Sequence, residues 1–381
     1  MYDCKLSVII VPHDGNFPPE PCLYSLRASA GGQDAEIFFA HNDAPNDALR
    51  ALFPEVAFAG RPRGASDVQF VNQMIAGCKG EYILLLHPDT VIGEDCLRTL
   101  CFFMDEHSGE VGAVGVKMLD GKGAFLTESR SKFPSPQTLL RKLCGRDRSA
   151  HDSGSDAAND LPDRPKRVDA ISEAFILFNR DALNKTGLPD EAFPLEGAYL
   201  DILYRLSAAG YAQFYFCDER ILHHGSKAAR RGDENHIRAF YDSLSLFCRK
   251  YYPEAKAIPF LIRARKRYAL LFEKKKKRKK IGKRRLLVFC RKDAFSEIKT
   301  VAGKILPGIS HFGLWDPAKD RPAGAIADRR IRMKAYTDMA FCYPDISFDQ
   351  ILFVMEKMTD KSVAFHIYLS GNGQFVPYET A

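Results

Sequence analysis

Four short polar groups in this chain each follow a run of apolar residues. Residues 6–11 (LSVIIV) lead into Pro12-His13-Asp14-Gly15, and residues 36–40 (EIFFA) lead into His41-Asn42-Asp43. Residues 82–86 (YILLL) stop at His87-Pro88-Asp89-Thr90, and Ile221-Leu222 enter the His-rich turn His223-His224-Gly225-Ser226. Carboxylate, amide and imidazole side chains donate or accept hydrogen bonds, and two of the three also exchange protons. Gathered at one place, they would make a site for a polar ligand. That requires elements which bring the four ends together.

The runs have the length and composition of buried strands, each closed by turn residues. Helical stretches lie between them, around residues 69–78 and 94–105. Strands alternating with helices predict a mostly parallel sheet covered on both faces, and such sheets bind ligands beyond the carboxyl ends of their strands. Residues 145–167 are polar and turn-rich, read either as a loop beside the site or as a surface insertion. Order resumes at residues 168–179, with helices expected near 180–183, 201–209, 236–251 and 259–272 and strands at 213–217 and 221–226. A second α/β pattern begins at residue 286: strands at 286–290, 309–315, 338–341 and 363–369, and a helix over 348–358.

The chain has 381 residues, is 46% apolar and carries a formal charge of +7. It is too apolar to be disordered, and no stretch approaches the ~20 apolar residues of a membrane span. Ten cysteines without a C-x-x-C pair, and an N-terminus lacking the features of a secretory signal, predict a reduced, cytosolic protein. The charge is unevenly placed. Residues 263–292 hold sixteen Lys or Arg against Glu273 alone, +15 in all, which leaves −8 for the rest. The excess is a local device and not the character of the fold.

In order and spacing, residues 5–255 resemble the family 2 glycosyltransferases of GT-A fold, in their rhamnosyltransferase-like branch. The first strand, His41-Asn42, the 79–90 segment (KGEYILLLHPDT) and Ser172–Arg180 (SEAFILFNR) each resemble a motif of that family. So do Gly187-Leu188-Pro189-Asp190-Glu191, the Asp201-Ile202-Leu203-Tyr204-Arg205 segment and the late His-His-Gly-Ser turn. The resemblance implies an α/β protein: a GT-A domain over residues 1–255, a basic amphipathic linker over 256–285, and a small Rossmann-like domain over 286–381. The last lacks a glycine fingerprint, so dinucleotide binding is not expected there.

The implied activity is metal-dependent, inverting transfer of a sugar from a nucleotide-diphosphate donor to a cell-surface glycan or lipid-linked acceptor. Mg²⁺ or Mn²⁺ would be held by Asp89 with His223 or His224, and the nucleotide by Asp14, His41, Asn42 and His87. Glu173 would border the acceptor. Departures from the family pattern are plain: His41 replaces an Asp, His87 stands first in the metal motif where the family has Asp or Asn, Glu173 replaces a glycine, and Ala198-Tyr199 stand where the family has Glu-Asp. Glu196, Asp201 and Glu173 are the remaining candidates for the base, Asp201 being read more readily as a helix residue paired with Arg205 at i+4. The rival reading is a catalytically degenerate binding or assembly subunit. Residues 258–285 read as a reversible anchor on an anionic membrane surface, which would place the protein on the inner face of the cell membrane, or else as a solvated linker. Nucleic acid is not expected.

Overall fold

The computed structural model describes residues 2–11, 17–31, 34–41, 47–143, 164–224, 233–272, 283–318, 336–358 and 363–378. Its first half begins β1 (Cys4–Ile10), α1 (Glu20–Ala30), β2 (Ala35–His41), α2 (Asp47–Leu52), β3 (Val56–Gly60), α3 (Asp67–Gly77) and β4 (Gly80–Leu86). After β5 (Thr90–Ile92), α4 (Cys96–Glu106) and β6 (Val111–Leu119) come β7 (Arg130–Ser131), α5 (Pro136–Leu143), β8 (Lys166–Val168), β9 (Ala170–Ile171) and β10 (Phe175–Asn179). Then follow α6 (Arg180–Thr186), α7 (Leu195–Ala208), β11 (Ala212–His223), α8 (Glu234–Tyr251) and α9 (Ala257–Phe272). The remainder is β12 (Arg284–Phe289), α10 (Phe295–Ile305), β13 (Ile309–Trp315), β14 (Asp338–Tyr343), α11 (Phe348–Lys357), β15 (Ala364–Leu369) and β16 (Gln374–Tyr378).

The main sheet runs β3-β2-β1-β4-β10-β6-β11-β5, with β8 added on β11. β1, β2, β3 and β4 are parallel, β10 is antiparallel to both β4 and β6, and β11 is parallel to β6. The carboxyl ends of β1, β2, β4 and β11 therefore share one edge. This is the mostly parallel α/β sheet expected from the sequence. Alternate residues of one strand serve different cores, because successive side chains point to opposite faces. Val8, Ile10, Leu84 and Leu86 pack with α1 and α4, whereas Ile9, Val11, Ile83 and Leu85 pack with α3, α6 and α7. Continuous apolar runs were needed because both faces are covered.

Two strand features depart from the sequence reading. β11 is one strand where two were expected. A register shift between Phe216 and Arg220 lets it pass the polar Asp218-Glu219 pair without ending. β6, rich in glycine, was not foreseen. A Cβ at Gly112 or Gly115 would come within 2.8 Å of the Cβ of Tyr211 or Ile171, so these glycines mark close packing and not a break.

The second sheet runs β13-β12-β14-β15-β16, parallel except for β16. One face packs on α10. The other joins the core of the first sheet, so that Phe289, Phe341, Ile351 and Met355 belong to one cluster with Val91, Ile92 and Leu97. Polar contacts close this seam. The Glu94 carboxylate accepts hydrogen bonds from the Phe348 and Asp349 backbone N–H groups, each at 2.7 Å, which satisfies donors at the start of α11. Glu356 of α11 pairs with Lys117 of β6 at 3.0 Å and Arg220 of β11 at 3.3 Å. A cleft of about 410 Å³ opens beside the seam, lined by Asp95, Asp218, Glu219, Asp349, Arg220 and Phe353. The predicted site residues lie elsewhere.

Candidate metal centre

β4 delivers His87 to the sheet edge, and the next three residues form a tight turn. The His87 carbonyl accepts from the Thr90 backbone N–H at 3.3 Å and the Thr90 hydroxyl at 2.7 Å. The turn is stitched to both neighbours. His87 N–H donates to the Ala174 carbonyl before β10, and His224 N–H donates to the Asp89 carbonyl, both at 3.0 Å. β5 pairs antiparallel with β11, setting Thr90 opposite His223.

This brings His87, Asp89 and His223 together. All three are buried, at 4%, 5% and 1% exposure, and one donor atom from each lies within 4.8 Å of the others. His223 Nε2 is 3.7 Å from Asp89 Oδ1, and its Nδ1 is 4.0 Å from Glu128 Oε1. Both separations exceed a hydrogen bond. Neither ring nitrogen of His223 has a hydrogen bond among the described residues. A buried imidazole without partners costs free energy unless something else satisfies it. Donors sharing one ion at ~2.1 Å stand about 3–3.5 Å apart, close to the His223–Asp89 spacing. The group fits a divalent cation, and its two imidazoles and one carboxylate suit a borderline transition ion better than a strictly oxygen-seeking one.

The other predicted residues take different places. His224 stands outside this group: its ring lies tilted against Phe17, centroids 4.5 Å apart, and burial, only partly countered by Asp89, lowers its pKa. His41 ends β2 with its ring against Gly60, where a Cβ would sit 3.3 Å from His41 Cε1. Asp14 and Asn42 follow β1 and β2 but lie outside the described residues, as do Gly225 and Ser226. Glu173 occupies the turn before β10, next to Ala174. Burial, reinforced by the charges of Glu173 and Asp67, pushes up the pKa of the Tyr199 phenol, whose hydroxyl has no hydrogen bond among the described residues.

Glu196 and Asp201 both lie on α7, in different surroundings. Glu196 is in the first turn, and its Oε1 is 3.2 Å from His236 Nδ1 of α8. His236 sits beneath the Asp233 cap, which accepts from its backbone N–H at 3.3 Å. Asp201 is fully buried. Its carboxylate meets Arg205 Nε at 2.8 Å, Lys250 Nζ at 2.7 Å and the Tyr251 hydroxyl at 2.6 Å. The Asp201–Arg205 pair at i+4 is thus formed, and Asp201 works as an internal tie between α7 and α8.

Sequence reasoning placed His87 with the nucleotide, whereas here it stands among the metal-capable groups. It missed Glu128 and His236 altogether. Neither has a local signal: Glu128 lies in a short 3₁₀ turn and His236 inside an ordinary amphipathic helix.

No family model matches the sequence, and no curated protein matches it. Among solved structures, the chain is similar to S. aureus TarS at 14% identity and TM-score 0.41, over 64% of this chain and 38% of that one. It is also similar to the mannosyltransferase PcManGT from Pyrobaculum calidifontis, in complex with GDP-Man and Mn²⁺, again at 14% identity and TM-score 0.41, over 71% of this chain and 73% of that one. The chain therefore spans little more than a third of TarS. Likeness at this level does not transfer an activity.

Proposed function

We propose that this protein is a metal-dependent, inverting glycosyltransferase that moves a sugar from a nucleotide-diphosphate donor to a surface-glycan or lipid-linked acceptor. The observation that carries the reading is the buried His87–Asp89–His223 group at the carboxyl edge of a doubly covered parallel sheet. A bound divalent ion, Mn²⁺ being preferred over Mg²⁺ for this donor set, supplies charge neutralisation for a diphosphate leaving group. Asp89, His87 and His223 hold it, and the Glu128 carboxylate, 4.0 Å from His223 Nδ1, closes to a hydrogen bond on that ring when the ion binds. Asn42, Asp14 and His41, at the ends of neighbouring strands, bind the nucleotide. Glu173 and Tyr199 border the acceptor. Glu196, oriented by His236, takes the proton of the acceptor hydroxyl. Asp201 is left in its structural role.

The sequence bounds at residues 255 and 285 mark units that pack together, since α9 joins the α5–α8 core and the two sheets share another, and the segment 258–285 partners an anionic membrane surface on the cytoplasmic side. No helix among the described residues is long and apolar enough to cross a membrane.

The test is a panel of nucleotide sugars with Mn²⁺ or Mg²⁺, run on the wild type beside Asp89→Ala. Metal-dependent nucleotide binding that the substitution removes is expected, together with turnover of at least one donor. A wild type that binds no nucleotide in the presence of metal sinks the reading. One observation favours a binding or assembly subunit instead: Ala198 and Tyr199 are buried where the resemblance calls for Glu-Asp, and Asp201 is saturated with partners. That alternative predicts metal-dependent nucleotide binding with no hydrolysis or transfer from any donor.

A further inference from the structure

α9 has two apolar faces. Ile258, Ile262 and Ala269 point inward, each at 2% exposure or less, and join Leu139 of α5 with Ile237, Tyr241 and Cys248 of α8 in one cluster. Phe260, Tyr268 and Leu271 fall on the opposite side at helical spacing and are 71%, 53% and 72% exposed. Ala264, also exposed, completes that stripe. Exposure of this kind is concentrated here. Of eight large apolar side chains exposed among the described residues, six stand on the α5–α8–α9 layer, because Leu140, Phe240 and Phe272 join the three above. A contiguous apolar patch on a surface marks an interaction site, whereas scattered single residues do not.

The border of the stripe is cationic. Arg263 and Arg267 are exposed on its flank, Arg265 lies 4.9 Å from the Tyr268 ring, and the sequence continues through Lys274–Lys280 without an acid. Lys266 is different, being held by Asp242 at 2.7 Å. An apolar strip edged by cations complements anionic lipid headgroups above acyl chains. Two copies of the same strip would instead bring like charges together.

We propose that the outer face of α9 lies in the interfacial region of an anionic bilayer, while its inner face stays packed on α5 and α8. The helix does not peel away to insert: Ile258, Ile262 and Ala269 remain in the protein core, and Phe260, Tyr268, Leu271 and Phe272 enter the lipid. The proposal rests on the membrane-partner part of the reading above and is independent of its transfer chemistry.

The experiment is co-sedimentation of the full chain with phosphatidylcholine vesicles and with vesicles containing about a third phosphatidylglycerol. The comparison variant is the triple substitution Phe260→Ser, Tyr268→Ser, Leu271→Ser. Wild type should bind the anionic vesicles and leave the neutral ones. The triple variant should lose roughly tenfold or more in partitioning and keep the wild-type thermal midpoint, since the replaced side chains are exposed. Equal binding by the triple variant overturns the inference and leaves the basic segment as the sole attachment. No binding by the wild type overturns both that inference and the membrane partner. Equal binding to neutral vesicles overturns the anionic commitment. A wild-type dimer in sedimentation velocity that the triple substitution makes monomeric overturns it in favour of a second copy.

Discussion

Replacing Asp201 with Asn tests whether the best-preserved acid of the resemblance works in chemistry or in structure. The Asp201 carboxylate is fully buried and receives Arg205, Lys250 and Tyr251. Asn keeps the size but loses the charge and offers a single accepting oxygen. Breaking a buried ion pair typically costs about 3–5 kcal/mol, since the surviving partner is left uncompensated. Here the partners keep other contacts. Arg205 still donates to the Gly187 and Leu188 carbonyls at 3.2 and 2.7 Å, and Lys250, 34% exposed, keeps Asp190 at 2.6 Å. Solvent screening of Lys250 and these contacts reduce the expected loss to about 2–3 kcal/mol. For a chain of this size the thermal midpoint should fall by about 2–4 °C. The assay is a calorimetric scan at pH 7, paired with a Mn²⁺ titration well below the midpoint, in which metal affinity should stay within about threefold of the wild type. An unchanged midpoint together with lost nucleotide turnover would refute the structural account and return Asp201 to the reaction.

Three further outcomes follow from the same geometry. His223→Ala should weaken Mn²⁺ binding by about 100-fold or more in calorimetric titration, and Glu128→Gln, acting through the His223 ring, by about tenfold; an unaltered affinity in His223→Ala disproves the proposed ligand set. Glu356→Gln should lower the urea midpoint at pH 7. Burial alone would raise the Glu356 pKa, but Lys117 and Arg220 outweigh it and hold the group below its ordinary 4.5. Its stabilisation is therefore full above that value and fades as pH falls through the lower folded value, so the gap between wild type and variant should narrow as the pH is taken below 4.5. Gly123→Ala should cost about 2 kcal/mol or more, because φ is +66° and the new Cβ would collide with the Met355 carbonyl across the seam. Gly64→Ala, at φ +83° with open space around it, should cost only about 1 kcal/mol. Equal midpoints for these two glycine variants would argue against the close packing of α11.

The sequence was most informative where local composition and tertiary role agreed. The β4 run is apolar because both its faces are buried, and β13 spans the residues its composition indicates. Helices α3 and α11 begin where Ser66 with Gln69 and Ser347 with Gln350 form reciprocal hydrogen bonds. β6 was obscured because its glycines follow from what packs on them, which only the folded chain reveals. The site was legible as a set of strand ends, and Asp89 could be paired in advance with His223 or His224, the choice between the two being left open. His87 was assigned by position in a motif, but its ring is placed by the turn geometry. His236 lies 40 residues from Glu196, so no spacing rule links them. The outer stripe of α9 was present in the sequence but merged with its inner face, since both alternate with the same basic residues.

The seam at α11 reaches further than its size suggests. Glu94 follows the strand that begins at Thr90, one residue after Asp89, and Arg220 stands three residues before His223, so the second sheet grips β11, which carries one metal-capable group, and β5, which leaves the turn that carries the other two. A shared core and a shared set of ties make the two sheets one cooperative body, expected to melt in a single transition. The C-terminal segment then acts as a keystone. Cut from the chain, it would leave the apolar side of α4 and β5 uncovered, and the pairing that sets His223 opposite Thr90 would lose its brace. A segment that reads as an appendage is, by this arrangement, part of what keeps the first sheet's working edge in register.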